Sequence, residues 1–281
     1  MTAPPTSAGT RQGPRRRSDA PFLVGLSVLG GVYVVLIVAM LVADLAYTSP
    51  GHLLAALQSE NIQYAVRLSL LSCSITALLC VWIGVPLGYV LSRCTFRGKG
   101  LLEALLDIPI VLPPLVIGLS LLILMQTAPG RWLERWVPVT YAVPSVILAQ
   151  FAVACAFAVQ TMRVTFDQIS PRSEQVARTL GCTRRQAFWR VTLPEARRGV
   201  LTAGTLAWAR ALGEFGPILV FSGATRMKTE VLSTSVFLEL SVGALEAAVA
   251  VSLLMIIAAV VVLLVVRWFG SGASFHQGQA P

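Results

Sequence analysis

Six long apolar runs constrain this chain more than any other feature of its 281 residues. They occupy residues 22–45, 64–92, 108–127, 141–161, 200–223 and 243–266. A membrane-crossing helix needs about 20 apolar residues, so each run is long enough to cross. Charged residues make up only 12% of the chain and hydrophobic residues 56%, whereas a water-soluble domain carries about twice that charged share. The sequence therefore predicts an all-α integral membrane protein with six transmembrane helices.

Lysine and arginine are distributed unevenly between the segments that join these runs. The segments predicted to lie inside the cell hold Arg11, Arg15, Arg16, Arg17, Arg93, Arg97, Lys99, Arg267 and the arginines of residues 163–198. The segments predicted to lie outside hold few, namely Arg131, Arg135, Arg226 and Lys228. Because cytoplasmic segments are enriched in these residues, we expect both termini in the cytoplasm. The apolar core of a cleaved signal peptide spans about 7–15 residues, so the first run is interpreted as a retained span.

This pattern divides the chain into four parts. Residues 1–20, rich in Pro, Ser, Thr and Arg, are predicted to form a disordered basic tail. Residues 21–63 hold the first transmembrane helix and an outer loop, residues 64–267 hold a core of five transmembrane helices, and residues 268–281 form a short tail. The formal net charge of +9 lies mainly in the inner segments, so it indicates membrane orientation rather than nucleic-acid binding.

The segment between the fourth and fifth runs, residues 163–198, is a polar, arginine-rich loop. Two short helical patterns in it meet at Gly181, and glycine is the residue best suited to a sharp corner between helices. Pro194 is expected to close the second pattern, because proline has no N–H to donate. The corner is predicted to present four residues to something outside the bilayer: Leu180, Gly181, Cys182 and Phe188. An ordinary amphipathic loop is the alternative interpretation.

The third run begins with three prolines that interrupt a plain membrane helix: Pro109, Pro113 and Pro114. Irregular backbone at membrane depth survives only when it is buried in protein or lines a cavity. We therefore expect the third run to lie beside a pathway through the membrane.

The fifth run contains an ionisable pair, Arg210 and Glu214. The two residues are four apart, so on a helix they share a face and can pair. Ionisable residues within a span are costly and are functional candidates. Two interpretations stay open: the pair contacts a passing substrate, or it neutralises itself and joins two spans. Gly213 and Gly216 in the same run allow helices to approach closely.

Two outer segments differ from simple loops. Residues 128–140 contain Trp132, Trp136 and Pro138, which is typical of a piece lying at the membrane interface. Residues 226–242 have apolar residues at roughly helical spacing. We expect a short helix there, at the mouth of the pathway.

Several kinds of active site are missing from the sequence. There is no G-x-x-x-x-G-K-[ST] loop to hold nucleotide phosphates and no H-E-x-x-H metal motif. A G-x-S-x-G hydrolase motif is also absent. The five cysteines have no zinc-site spacing. We therefore predict no catalytic residue and no metal site.

The arginine-rich loop resembles the EAA loop of ATP-binding-cassette (ABC) importer permeases. That pattern is E-A-A, three residues, G, nine residues, I, any residue, then L-P. Gly181 matches the glycine, and Gln175 stands where the glutamate would be, with Glu174 one place earlier. The resemblance implies that an ATPase docks on this loop and is coupled to it through Glu174, Ala177, Leu180, Gly181, Cys182, Arg184, Arg185, Phe188, Val191, Leu193 and Pro194.

The third and fifth runs resemble a subfamily of these permeases that carries molybdate, tungstate or sulfate. Residues 209–216 read A-R-A-L-G-E-F-G, similar to its A-R-x-x-G-E-F-G signature. Residues 107–114 are similar to its D-x-P-x-x-x-P-P element. Permeases for polyamines, thiamine and ferric iron carry weaker versions of the signature. The resemblance implies a MetI-like type I importer fold whose translocation pathway involves Pro109, Pro113, Pro114, Arg210, Gly213, Glu214 and Gly216.

The same resemblance implies an assembly in the plasma (inner) membrane. A second permease copy, giving a homodimer, two ABC ATPase subunits and an extracytoplasmic solute-binding protein are the expected partners, with membrane lipid around them. ATP and magnesium would bind to the ATPase, so this chain is expected to hold no cofactor. One alternative is an ABC permease for another small solute, namely a polyamine, thiamine or ferric iron. The other is a secondary transporter driven by an ion gradient. That function predicts two matching halves with interrupted helices and ionisable residues in several spans, and the sequence offers one ionisable pair and no clear halves.

Overall fold

The computed structural model describes residues 20–271, and the regular structure in that range is helical throughout. Helix α1 (Ala20–Tyr47) forms one unit, and the residues from Thr48 onward form another. The second unit begins with α2 (Pro50–Gln58), α3 (Glu60–Arg93), α4 (Lys99–Val111), α5 (Pro114–Gln126), α6 (Ala128–Trp136) and α7 (Val143–Gln168). It continues with α8 (Pro171–Thr179), α9 (Arg184–Ala187), a π-helical turn (Phe188–Thr192), α10 (Leu193–Glu195), α11 (Arg197–Leu212), α12 (Gly216–Phe221), α13 (Leu232–Ser241) and α14 (Leu245–Ser271).

Four helices in the described residues are long and apolar enough to cross a membrane: Phe22–Tyr47, Glu60–Arg93, Val143–Gln168 and Leu245–Leu264. They correspond to the first, second, fourth and sixth apolar runs. Helices α4 and α5 meet the same criteria as a pair that is bent by 112°. The predicted all-α membrane fold is confirmed, and its third span is this bent pair.

The bend between α4 and α5 follows from two consecutive prolines. Leu112, the residue before Pro113, has an extended backbone with ψ of 142°. A residue that precedes proline is pushed out of the α region by contact with the proline ring. Pro114 then occupies the first turn of α5, where its missing N–H has no helical partner to lose. Pro109, in contrast, lies inside α4 and not at the break.

The fifth apolar run is not a continuous helix. Helix α11 ends at Leu212, and α12 begins at Gly216 and is only 6 residues long. Pro217 is the physical reason, because it has no N–H for the carbonyl of Gly213 and its ring would collide with that carbonyl in an α-helix. Within the break, the carbonyl oxygen of the next residue, Glu214, accepts a hydrogen bond from the hydroxyl of Ser233 at 2.7 Å.

The core of the second unit is a close bundle of α3, α7 and α11 whose contacting residues are small. Buried alanines recur on all three helices, for example Ala77, Ala158 and Ala207. Gly88 marks the tightest approach of α3 to α7, since a Cβ atom there would lie 2.7 Å from the Cβ of Met162. Small residues let helix backbones approach closely inside a membrane, where van der Waals packing holds them together.

The two segments predicted to lie outside the cell contain short helices. Helix α6 carries Trp132 and Trp136, both exposed. Helix α13 lies within residues 226–242, as predicted, but begins at Leu232. The hydroxyl of Tyr64 in α3 donates to the backbone carbonyl of Lys228, at 3.0 Å, and so joins α3 to this outer segment.

Candidate functional site

The first candidate site is the elbow, which we define as residues 171–195, from α8 to α10. Its corner lies at Gly181, whose φ of 90° is unfavourable for any residue with a Cβ atom. The N–H of Cys182 bonds the carbonyl of Ala177, and the N–H of Gly181 bonds the carbonyl of Arg178, each at 3.1 Å. This pair of bonds is the Schellman motif that ends many helices. The predicted corner at Gly181 is confirmed.

The second arm of the elbow starts with a capping box. The side chain of Thr183 accepts a hydrogen bond from the N–H of Gln186 at 3.3 Å, and the side chain of Gln186 accepts one from the N–H of Thr183 at 2.9 Å. Two N–H groups that a helix start leaves unpaired are thereby satisfied. The capping box fixes where α9 begins, directly after the glycine corner.

Pro194 does not close the second arm, contrary to the prediction. The chain widens into the π-helical turn, in which the N–H of Leu193 bonds the carbonyl of Phe188. Ordinary helical bonding then resumes, with the N–H of Ala196 on the carbonyl of Thr192 at 3.0 Å. In an α-helix the Pro194 ring would collide with the carbonyl four residues earlier, and the wider turn removes that conflict. The elbow therefore continues into α11.

Glu174 anchors the elbow to the helices behind it. One of its carboxylate oxygens accepts a hydrogen bond from the hydroxyl of Tyr89 in α3, at 2.7 Å. The other accepts one from the hydroxyl of Thr192 in the π-helical turn, at 3.5 Å. A single carboxylate thus joins α8, α3 and the π-helical turn.

Phe188 packs inward, so the prediction that it faces outward is wrong. The centre of its ring lies 4.8 Å from the centre of the Tyr89 ring and 6.4 Å from the centre of the Phe166 ring. The next residue, Trp189, is 59% exposed and is the outward aromatic side chain of the elbow. The sequence pattern failed here because a helix of only four residues followed by a π-turn does not keep the regular period that assigns a face.

Arg184 and Arg185 have different surroundings, although the sequence groups them together. The guanidinium of Arg184 donates to the sulfur of Cys94, at 3.6 Å, and lies 6.0 Å from the centre of the Tyr89 ring. The neighbouring hydroxyl of Tyr89, more than Cys94, raises the pKa of Arg184, so this side chain stays charged. Arg185 is exposed to solvent. Arg184 therefore connects the elbow to the end of α3, whereas Arg185 is available to a partner.

The remaining predicted elbow residues lie on both sides of it. Leu180 is 80% exposed, next to the glycine corner. The half-buried residues are Ala177, Cys182, Val191 and Leu193, and the exposed ones include Pro194. The exposed arginines of the elbow are Arg172, Arg178, Arg184, Arg185 and Arg190. The outward side of the elbow thus combines exposed apolar side chains with positive charge.

The second candidate site is the place where the two broken spans meet. A Cβ atom on Gly216 would lie 3.1 Å from the backbone nitrogen of Leu115, beside Pro114. One on Gly118 would lie 2.7 Å from the Cα of Pro217. Two glycines therefore permit backbone contact between α5 and α12. The structure brings the breaks at Pro113–Pro114 and Gly213–Gly216 together, although they are about 100 residues apart in the sequence.

Arg210 and Glu214 pair at the end of α11. The Glu214 side chain is only 1% exposed, whereas that of Arg210 is 31% exposed. The guanidinium also lies 5.6 Å from the centre of the Phe157 ring in α7, within the range of a cation–π contact. This arrangement neutralises the buried carboxylate and leaves part of the guanidinium accessible beside the break.

A third polar group, which the sequence did not indicate, joins α4 to α7. The amide of Gln160 donates to the carboxylate of Asp107. One turn further along α7, the guanidinium of Arg163 contacts the carboxylate of Glu103 in α4 at 3.0 Å. A cleft of about 620 Å³ lies beside this group, and its polar lining comprises Gln160, Thr161, Thr165, Gln168, Glu195, Arg198 and Thr202.

Tyr89 is the main residue that sequence reasoning missed. The available signal was a tyrosine hydroxyl near the inner end of an apolar run, but its partner Glu174 is 85 residues away, and no local pattern links the two. Between residues 20 and 271, no group of three or more His, Cys, Asp or Glu side chains is placed to hold a metal ion.

Solved structures share this fold. A chain in the crystal structure of a bacterial ABC transporter involved in the import of the acidic polysaccharide alginate aligns with a TM-score of 0.70 at 18% identity, covering 91% of this chain and 97% of that one. A chain of the inward-facing MetNI methionine ABC transporter aligns with a TM-score of 0.60 at 16% identity, covering 76% and 99%. The helices described above are therefore arranged as in ABC importer permeases.

Sequence relatives are closer to this chain than these structures are. A probable molybdenum ABC transporter permease of Haloferax volcanii is 37% identical over 79% of this chain and 81% of its own length. The sulfate transport system permease CysT of Escherichia coli is 31% identical over 85% and 88%, and the molybdenum permease ModB of Mycobacterium tuberculosis is 34% identical over 88% and 94%. Residues 84–273 match the family described as binding-protein-dependent transport system inner membrane component. The chain belongs to this family of ABC importer permeases.

Proposed function

We propose that this chain is the permease subunit of an ATP-driven importer for a tetrahedral oxyanion. The relatives named for molybdenum and for sulfate support this class of substrate. Molybdate, tungstate and sulfate are its members, because all three are compact dianions of one shape. The relatives' names divide between molybdenum and sulfate, so the proposal extends to the class and not to one anion.

The observation that carries the proposal is the construction of the elbow. Its corner exposes Leu180, its rim holds charged arginines, and its inner side is joined to α3 through Glu174. A surface of this kind suits a separate protein that docks from the cytoplasm and moves the helices behind it. We assign that role to two ABC ATPase subunits, which hold ATP and magnesium. This chain contains no phosphate-binding loop of its own.

The translocation path in this proposal runs beside the two broken spans. Irregular backbone at membrane depth needs protein or a cavity around it, and the breaks of α4–α5 and α11–α12 lie together. The partly exposed guanidinium of Arg210 supplies mild positive potential for an anion. One copy has too few core spans to enclose a polar path, so two copies pair in the plasma membrane, with both termini in the cytoplasm. A solute-binding protein delivers the anion at the outer segments.

The test is reconstitution of the chain with its ATPase and its solute-binding protein in proteoliposomes. Uptake of labelled molybdate, tungstate and sulfate is measured with ATP, without ATP and without the ATPase. We expect ATP-dependent uptake of at least one of the three and none of a polyamine or thiamine. Uptake by the chain without the ATPase would contradict the proposal and favour a secondary transporter.

A further inference from the structure

Helix α3 contacts the elbow at its inner end and the outer segment at the other. At the inner end, the hydroxyl of Tyr89 donates to Glu174 at 2.7 Å. Toward the outer end, the hydroxyl oxygen of Ser69 accepts the N–H of Leu232, the first residue of α13, at 2.8 Å. Ser69 is 1% exposed, so water does not compete for this bond. Twenty residues separate the two contacts, which is roughly 30 Å along a helix.

The outer contact leads on to the break in the fifth span. Ser233 follows Leu232 in the first turn of α13, and its hydroxyl donates to the carbonyl oxygen of Glu214 at 2.7 Å. Glu214 belongs to the three-residue gap between α11 and α12. Hydrogen bonds therefore connect the elbow to this gap in the order Glu174, Tyr89, Ser69, Leu232 and Ser233, with α3 as the long middle part.

The inner half of α3 is held firmly enough to move as one body with its neighbour. Pro86 interrupts its hydrogen bonding one turn before Tyr89 and would weaken an isolated helix there. Gly84 and Gly88 flank the proline and lie against α7. A Cβ atom on Gly88 would clash with Met162 at 2.7 Å, and one on Gly84 would lie 3.3 Å from Ala158, a tight contact. This packing supports the helix on both sides of the proline.

We propose that α3 transmits movement of the elbow to the gap at Glu214, with Tyr89 as the inner positioning residue and Ser69 as the outer one. When the elbow shifts, Glu174 displaces Tyr89, and α3 carries that displacement to α13 and to the carbonyl of Glu214. A chain of contacts becomes a coupling path only when both ends bias the same movement. The proposal rests on the function proposed above, and the experiment separates the two.

The experiment compares the wild-type chain with Tyr89→Phe, Ser69→Ala and the double variant. Each is purified with the ATPase and then reconstituted with the solute-binding protein in proteoliposomes. Tyr89→Phe keeps the ring that packs on Phe188 and removes only the hydroxyl. Tyr33→Phe in α1 and Ser252→Ala in α14 are matched controls, because the Ser252 hydroxyl bonds only within its own helix at Ala248 and Tyr33 is exposed. Three quantities are measured: the amount of ATPase that copurifies, basal ATP hydrolysis, and molybdate or sulfate transported per ATP hydrolysed.

We expect each single variant to keep the ATPase bound and to lower transport per ATP roughly five-fold, the effect of one lost hydrogen bond on an equilibrium. The double variant should lose no more transport per ATP than either single variant. The two contacts lie in series on one path, so breaking the second adds nothing once the first is broken. If Tyr89→Phe is not recovered, Glu174→Ala probes the inner contact, because it removes the oxygen that accepts the hydrogen bond of Tyr89. Unchanged transport per ATP in the single variants, or losses that multiply in the double variant, would overturn the proposal. Failure of the wild-type chain to bind the ATPase would instead refute the proposed function.

Discussion

Replacing Gly181 isolates the energetic cost of the elbow corner. A Cβ atom at this position would meet no other atom within 4 Å, yet the φ angle of 90° is one that residues with a side chain rarely adopt. The cost of Gly181→Ala is therefore conformational and not steric, and amounts to about 1–2 kcal/mol. Gly181→Asn should cost less, because asparagine tolerates positive φ, and the β-branched Gly181→Val should cost more.

Hydrogen-exchange mass spectrometry of residues 177–183 measures this cost directly. The amides of Gly181 and Cys182 are protected by the bonds to Arg178 and Ala177, so a loss of about 1–2 kcal/mol should speed their exchange roughly 5- to 30-fold. Gly100→Ala is the matched control. Gly100 lies in α4 with open space around it and without a positive φ, so alanine should be neutral or stabilising there. Equal exchange in Gly181→Ala, Gly181→Asn and Gly181→Val would refute the conformational explanation.

Three further predictions concern packing and charge. Gly88→Ala forces α3 away from Met162 of α7 and should destabilise the protein by about 1–3 kcal/mol, measured by thermal unfolding in detergent. The control is Gly25→Ala in α1, which has open space around it and should not lower the melting temperature. Arg210→Met leaves the buried carboxylate of Glu214 unpaired and should lower the free energy of unfolding by about 3–5 kcal/mol. Adding Glu214→Gln should recover part of that loss. A double variant less stable than Arg210→Met would contradict a neutralising role for Arg210. Arg185→Ala should weaken copurification of the ATPase without changing hydrogen exchange at the end of α3. Arg184→Ala should weaken it too and also speed hydrogen exchange in the segment around Cys94. Identical hydrogen exchange in the two variants would refute the distinction between the two arginines.

Features that depend on neighbouring residues could be predicted from the sequence. The corner at Gly181 and the break at Pro113–Pro114 follow from the backbone chemistry of glycine and proline, which acts over four or five residues. The four continuous spans follow from length and apolar content alone. For these features the sequence contains all the necessary information.

Features that depend on distant residues could not be predicted. Tyr89 and Glu174 meet across 85 positions, and Ser69 meets Leu232 across 163, so neither pairing leaves a mark in local periodicity. The inward orientation of Phe188 depends on the π-helical turn, which arises where the helix has to continue past Pro194. The break in the fifth run has a local cause in Pro217. The hydrogen bond that the hydroxyl of Ser233 donates to the carbonyl oxygen of Glu214 within this break comes from another helix, 19 residues further along the chain.

Because the chain stays helical through Pro194, the connections between the elbow and the bundle of α3, α7 and α11 contain few flexible residues. At one end, two residues separate α7 from α8, and at the other end the π-helical turn passes directly into α10 and α11. The bases of α7 and α11 also touch, because Gly199 has no side chain where Thr165 lies. A tilt of the elbow is therefore transmitted to α7 and α11 together. The size of the resulting displacement at the opposite face of the membrane depends on the lengths of these helices and not on the flexibility of a loop.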